Sequence, residues 1–293
     1  MQETGNRDGV TMQKFDLFDE TFDPFRTESY ELSIQVNLNG FSFCVKDTNR
    51  NMFIALGSIP FEKNVVYTDD WLQEVSWITS QYDWLENQFR RVFINYESPE
   101  FIVVPTKYFE PTKAKQLLAL SYPLHELNEI RFGNVDDDRV CIYSIPSTLA
   151  NAFIGKYKNA KFVCSGYFAL KNALTEGVKK GKPQVQVSFF NSFAIINFLK
   201  EGNLFHSGTI QTLSSEDTTY HLANISKQLG IKPADIDITL FGKVDYHNEL
   251  LTLLTRFFGN VKSNSTIFNS HLSYILSPHK EKYSTLFNIS QCE

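Results

Sequence analysis

Apolar and polar positions alternate early in the chain. Leu32, Ile34, Val36 and Leu38 alternate with polar residues, and Phe41, Phe43 and Val45 resume the alternation after Asn39-Gly40. A period of two marks a strand with one buried face. Asn-Gly is a strong hairpin signal because both residues tolerate positive φ. Asp47-Thr48-Asn49-Arg50 makes a second turn, and Met52–Leu56 a third strand. The period then changes. Trp71, Val75, Ile78, Tyr82, Leu85 and Phe89 recur at spacings of three and four, which predicts one helix reaching Phe89. Thr68, Asp69 or Asp70 would cap it. Val92–Tyr96 and Phe101–Val104 read as strands around a Ser98-Pro99 turn, and Pro111 opens a helix through Leu120.

The middle of the chain predicts a strand at Val140–Tyr143, a helix from Pro146 to about Lys156, a strand at Lys161–Cys164 and a helix over Tyr167–Gly177. Lys179-Lys180-Gly181-Lys182-Pro183 is the clearest boundary, being charged with Gly and Pro close together. Val185, Val187 and Phe189 then alternate, Asn191-Ser192 turns, Phe193–Leu199 returns, and Leu204–Gly208 forms a third strand. A helix over Asp217–Leu229 stops at Gly230, and a strand at Ile236–Phe241 precedes a Leu-rich helix over Tyr246–Phe258. Ser265–Phe268 and Tyr274–Leu276 are short final elements. The division is a polar tail at residues 1–28, with Phe15, Leu17, Phe18, Phe22 and Phe25 available to dock, a first lobe at 29–181 and a second at 182–293.

The second lobe repeats the opening of the first. At one constant offset Asn39 falls on Asn191, Phe41 on Phe193, Asn51 on Asn203 and Phe53 on Phe205. The first strand is out of phase by one residue, but in both places a meander precedes a helix and another strand. An internal duplication is the expectation.

Composition narrows the function classes. The chain has 293 residues, 42% hydrophobic and 21% charged, enough to bury a core without disulfides or metal. Its 26 Phe belong mainly to that core. A net charge of -5 gives no general attraction for nucleic acid or anionic lipid. Met1–Val10 is polar, no long apolar run exists, and Cys44, Cys141, Cys164 and Cys292 are scattered, so a cytoplasmic location with reduced thiols is expected. Asn-x-Ser/Thr triplets at Asn224, Asn264 and Asn288 then carry no meaning.

Leu32–Leu56, Phe101–Phe109 and the order of elements resemble the uncharacterised proteins of Bacteroides-type bacteria that have an actin-like ATPase fold. More distantly the chain is similar to the actin-like cytoplasmic proteins of type IV pilus and type II secretion systems. The resemblance spans about residues 30–290. It implies an α/β, ribonuclease H-like, duplicated architecture: two lobes, each a mixed sheet with helices, flanking a cleft. It also implies D-x-G after the first strand of each lobe, where Gly lets backbone N–H groups approach phosphate and Asp organises Mg²⁺. Asn37-Leu38-Asn39 and the adjacent Gly40 stand there in lobe one, without the acid. Phe189-Phe190-Asn191-Ser192 stands there in lobe two, and Leu240-Phe241-Gly242-Lys243 keeps one Gly of the adenosine-side pair. Read from turn chemistry alone, Asn39-Gly40 and Asn191-Ser192 are plain hairpin turns.

Other constellations are bland. Asp136–Asp138 is a solvated turn, the six His show no metal spacing, Ser165-Gly166 lacks a nucleophile elbow, and the Lys179–Lys182 cluster is short. All three Trp, Trp71, Trp77 and Trp84, fall in the first predicted helix. Trp77 and Trp84, seven apart, would share a face, either buried or a partner surface. The expectation is a non-catalytic binding or scaffold protein with no cofactor, no metal and no nucleotide, working through a protein partner or a second copy. The alternative is an enzyme with weak nucleotide or sugar-phosphate chemistry in the cleft.

Overall fold

Short alternating runs become strands and three-to-four spacings become helices along most of the chain. The computed structural model describes residues 14–61, 70–176, 182–211, 214–242, 246–264, 266–267 and 269–292. The Lys179–Gly181 part of the expected boundary, the Thr68 and Asp69 caps, and Ser265 and Phe268 lie outside them. Strands β1 (Phe15–Phe18), β2 (Tyr30–Asn37), β3 (Gly40–Asp47) and β4 (Met52–Pro60) precede helix α1 (Asp70–Ser80) and β5 (Arg91–Tyr96). Then come β6 (Phe101–Pro105), α2 (Ala114–Ala119), β7 (Asn128–Asn134), β8 (Arg139–Pro146), α3 (Ser147–Lys156), β9 (Ala160–Cys164) and α4 (Ser165–Glu176). The remainder is β10 (Gln184–Phe189), β11 (Phe193–Lys200), β12 (Asn203–Gln211), α5 (Ser215–Gln228), β13 (Asp237–Phe241), α6 (His247–Phe257), β14 (Val261–Ser263), β15 (His271–Leu272) and α7 (Ser284–Asn288).

Two sheets share one plan. The first contains the run β4-β3-β2-β5-β9 and the second is β12-β11-β10-β13-β14. In each, a three-stranded antiparallel meander continues through two parallel pairings. The meander strands of the first sheet are buried almost without a break, because both faces are covered. Phe41, Phe43 and Val45 face one core with Val75 and Ile78 of α1 and Leu149 and Phe153 of α3. Cys44, Phe53 and Leu56 face the other, with Leu286 and Phe287 of α7. Cys141 and Cys164 are buried free thiols like Cys44. Helix α4 runs between the lobes and packs on β9 and β11. A separate sheet, β6-β8-β7, is inserted between β5 and α3.

Five expectations are revised. The segment assigned to a tail contributes β1, which pairs with β4 from Phe15↔Ser58 to Phe18↔Ala55. Phe25, by contrast, is 92% exposed and docks nowhere. The end of the chain does not stay with the second lobe, since β15 pairs with β4 and α7 covers the first sheet. Strand β7 was not anticipated, because Asn128–Asn134 carries only Ile130 and Phe132 as large apolar residues. The first hairpin turns at Leu38-Asn39, between the paired Asn37 and Gly40, and not at Asn39-Gly40. Neither Asn39 nor Gly40 has positive φ; Asn37 Oδ1 accepts the Asn39 N–H at 2.9 Å and closes an Asx turn instead.

The fifth revision concerns the tryptophans. Helix α1 stops at Ser80. Thr79 and Ser80 hydroxyls bond back to the Ser76 and Trp77 carbonyls, and Gln81 and Tyr82 close tight three-residue bonds to Ile78 and Thr79. Ile, Thr and Ser are weak helix formers, and hydroxyls that compete for carbonyls favour a stop here. Tyr82 is extended, so the chain turns and drops Trp84 inward. Trp77 and Trp84 therefore share no helix face.

Candidate functional site

The two hairpins meet at one cleft. It has a volume of about 520 Å³ and is lined by Asn37, Leu38 and Asn39 from the first lobe, Asn191, Ser192 and Phe193 from the second, and Tyr96–Glu100 beyond β5. The insert closes a side with His125, Asn128, Ser144 and Pro146. So four of the expected loop residues are brought together across the sequence. Gly40 lies just behind, buried at the start of β3.

Gly242 is not among the lining residues. It follows β13 directly with φ 79°, and an added Cβ would stand 2.8 Å from the Phe189 carbonyl oxygen. Its glycine is required by backbone conformation and by contact with β10.

Glu97, which sequence reasoning missed, lines the cleft and bonds to both hairpins. Its backbone N–H donates to the Val36 carbonyl at 2.9 Å, so the residue is tied to the end of β2. Its side chain is buried, and every donor to it is an amide. Gln35 Nε2 donates to Oε2 at 2.9 Å and Asn37 Nδ2 at 3.1 Å. The backbone N–H of Asn191, from the other lobe, donates to Oε1 at 2.6 Å. Burial raises the Glu97 carboxyl above its ordinary range, and the Asn191, Asn37 and Gln35 donors pull back against that. The available signal was a carboxylate directly after the expected strand Val92–Tyr96, at a Ser-Pro turn.

The remaining polar lining includes Glu100, Ser144 and Asn128. Ser144 Oγ donates to Glu100 Oε2 at 3.3 Å, and Asn128 Nδ2 donates to Ser144 Oγ at 3.4 Å. No Lys or Arg is among the described lining residues. Such a surface offers amides, hydroxyls, carboxyl groups and the His125 imidazole, and no Lys or Arg among the described lining residues to hold a phosphate chain. Among the described residues no group of three His, Cys, Asp or Glu is placed to share a metal ion. Elsewhere, Asp136 accepts from Asp138 N at 3.0 Å and pairs with Arg139 at 2.5 Å, which is turn chemistry.

Two like-ordered mixed sheets with helices, facing each other across a cleft made by their first hairpins, define the actin-like ATPase fold. A Bacteroides thetaiotaomicron protein with that fold and unknown function aligns over 92% of this chain and 99% of its own, at TM-score 0.73 and 19% identity. The chain belongs to the family described as protein of unknown function (DUF3822), whose model matches residues 19–261. The type IV pilus biogenesis complex PilM-PilN aligns over 91% of this chain and 97% of its own, at TM-score 0.54 and 12% identity. The cytoplasmic domain of EpsL, from the type II secretion system of Vibrio cholerae, aligns over 90% and 94% at TM-score 0.47 and 9% identity. No curated protein matches the sequence. No helix among the described residues is long and apolar enough to cross a membrane.

Proposed function

We propose that this protein is a non-catalytic binding or scaffold module whose two lobes are copies of one unit and whose cleft has lost nucleotide chemistry. The observation that carries the reading is the Asn191 N–H bonded to Glu97. In a phosphate loop that amide would face the ligand. Here a tethered carboxyl group holds it, and a phosphate entering beside Glu97 and Glu100 would meet carboxyl groups, with no Lys or Arg among the described lining residues. The absence of an Asp at Asn37 and at Asn191 supports the same conclusion, since nothing there organises Mg²⁺. A protein partner is the favoured ligand class. The pilus neighbour, of the same fold, is a complex of two proteins.

A thermal-shift titration with Mg·ATP tests this. A native-state ligand at about 100 times its Kd raises apparent stability by about 2.7 kcal/mol. The expected result is no saturable shift. A saturable rise in melting temperature overturns the reading and favours a nucleotide-binding enzyme.

A further inference from the structure

We propose that Glu97 is an interlobe latch, which pins the second-lobe hairpin turn to the first lobe and fixes the lobes relative to each other without a ligand. The inference deepens the non-nucleotide reading of the same cleft, and its test uses no nucleotide.

The latch has an anchored side and a captured side. On the anchored side, the Glu97 backbone is bonded to Val36, and Oε2 is held by Gln35 and Asn37 at 2.9 and 3.1 Å. The side chain is therefore aimed before the second lobe is considered. Asn37 also shapes the first hairpin through Asn39, so that turn and the carboxyl group are one hydrogen-bonded unit.

On the captured side, the turn that presents Asn191 is itself rigid. The Phe190 N–H donates to the Phe193 carbonyl at 2.9 Å, and the two rings stack with centroids 5.0 Å apart. Phe190, Phe193 and Ile195 are buried in the same apolar core as the first-lobe sheet. Apolar contact thus brings the turn to the first lobe, and the Asn191–Glu97 bond sets where it stops. Hydrophobic contact is non-directional, whereas a 2.6 Å N–H to carboxyl bond fixes both distance and angle. Glu97 is 6% exposed, so water does not compete freely for either oxygen.

Hydrogen exchange and small-angle scattering of the full chain test the latch. Leaving a buried donor without its acceptor shifts a local opening equilibrium by roughly 5- to 150-fold. In Glu97→Ala the Asn191 amide should exchange faster by about that factor. The Ile34 and Ile94 amides inside the first sheet should keep wild-type rates, and the radius of gyration should increase. Wild-type exchange at Asn191 in the folded variant overturns the latch. So does faster exchange with an unchanged radius, because the bond would then position nothing. If Glu97→Ala does not fold, Glu97→Leu is measured. It keeps most of the volume but offers the Asn191 N–H no acceptor oxygen. Exchange at Asn191 above wild type is again expected, and an unchanged rate overturns the proposal. Binding of Mg·ATP would refute the non-nucleotide reading without touching these rates, so the two failures are distinguishable.

Discussion

Trp84→Ala separates a core role from a surface role for the aromatic segment. The indole is 8% exposed. Ring centroids of Phe22 and Phe43 lie 5.1 and 5.3 Å away, those of Phe18 and Tyr82 5.9 Å, and that of Phe89 6.1 Å. A buried aromatic side chain removes about 150–250 Å² from water, or about 4–6 kcal/mol at 25 cal/mol per Å². Phe18 and Phe22 are only partly buried, so they can settle into part of the space left behind. That relaxation places the expected loss within the usual range for large-to-small core changes, about 3–5 kcal/mol. Urea unfolding followed by far-ultraviolet circular dichroism measures it as a lower midpoint at unchanged slope. Trp77→Ala is the internal comparison: Trp77 is partly buried at the edge of the same core, and about 1–2 kcal/mol is expected. A folded Trp84→Ala protein that loses less than about 1 kcal/mol would refute the buried assignment. Loss of self-association in that same variant would restore the surface one.

Two further predictions follow from close contacts and from burial. Gly166, near the start of α4, leaves room for Phe101 of β6, and an added Cβ would stand 2.3 Å from the ring. Gly166→Ala should therefore cost about 1–3 kcal/mol, with part recovered by Phe101→Leu in a double-mutant cycle; a neutral Gly166→Ala contradicts the packing of the insert on α4. The raised Glu97 carboxyl means that the native state keeps its proton to higher pH than the unfolded chain, which releases it near 4.5. Stability should fall as pH rises from there through the raised value, and this slope should vanish in Glu97→Gln. Urea midpoints at stepped pH check it, and equal slopes in the two proteins would count against the burial of this group.

Much of the fold was legible because its signals are local. The meanders of β2–β4 and β10–β12 follow from alternating residues and from turns such as Asp47–Arg50, where Asp47 Oδ1 accepts the Asn49 N–H at 2.9 Å. What was not legible depends on partners far away in sequence. The three-to-four stripe from Trp71 to Phe89 is real, yet it is served by α1 and then by an inward-turned segment, since burial is satisfied by either path. A periodic stripe reports which residues want an apolar neighbour, and it does not report whether the helix that would align them continues. Likewise Phe15 and Leu17 announce burial, but their destination is an edge strand on β4.

The cleft shows the same limit in its chemistry. Asn37 and Asn191 were identified by what they lack, an acid at a phosphate loop. The acid that matters stands at Glu97, on a different strand end, and only the folded chain shows that Gln35, Asn37 and Asn191 converge on it. A carboxylate takes its role from its donors. With a cation and a bound phosphate nearby it would organise a reaction. Surrounded by amides, one of them 94 residues away, it is consumed in holding two lobes together. The absence of an acid at Asn37 and Asn191 and the presence of this internal acceptor bear on the same two hairpins. The backbone amide that could have approached a ligand has an intramolecular partner, and the hairpins that would have opened for a nucleotide are bonded to each other through a single side chain.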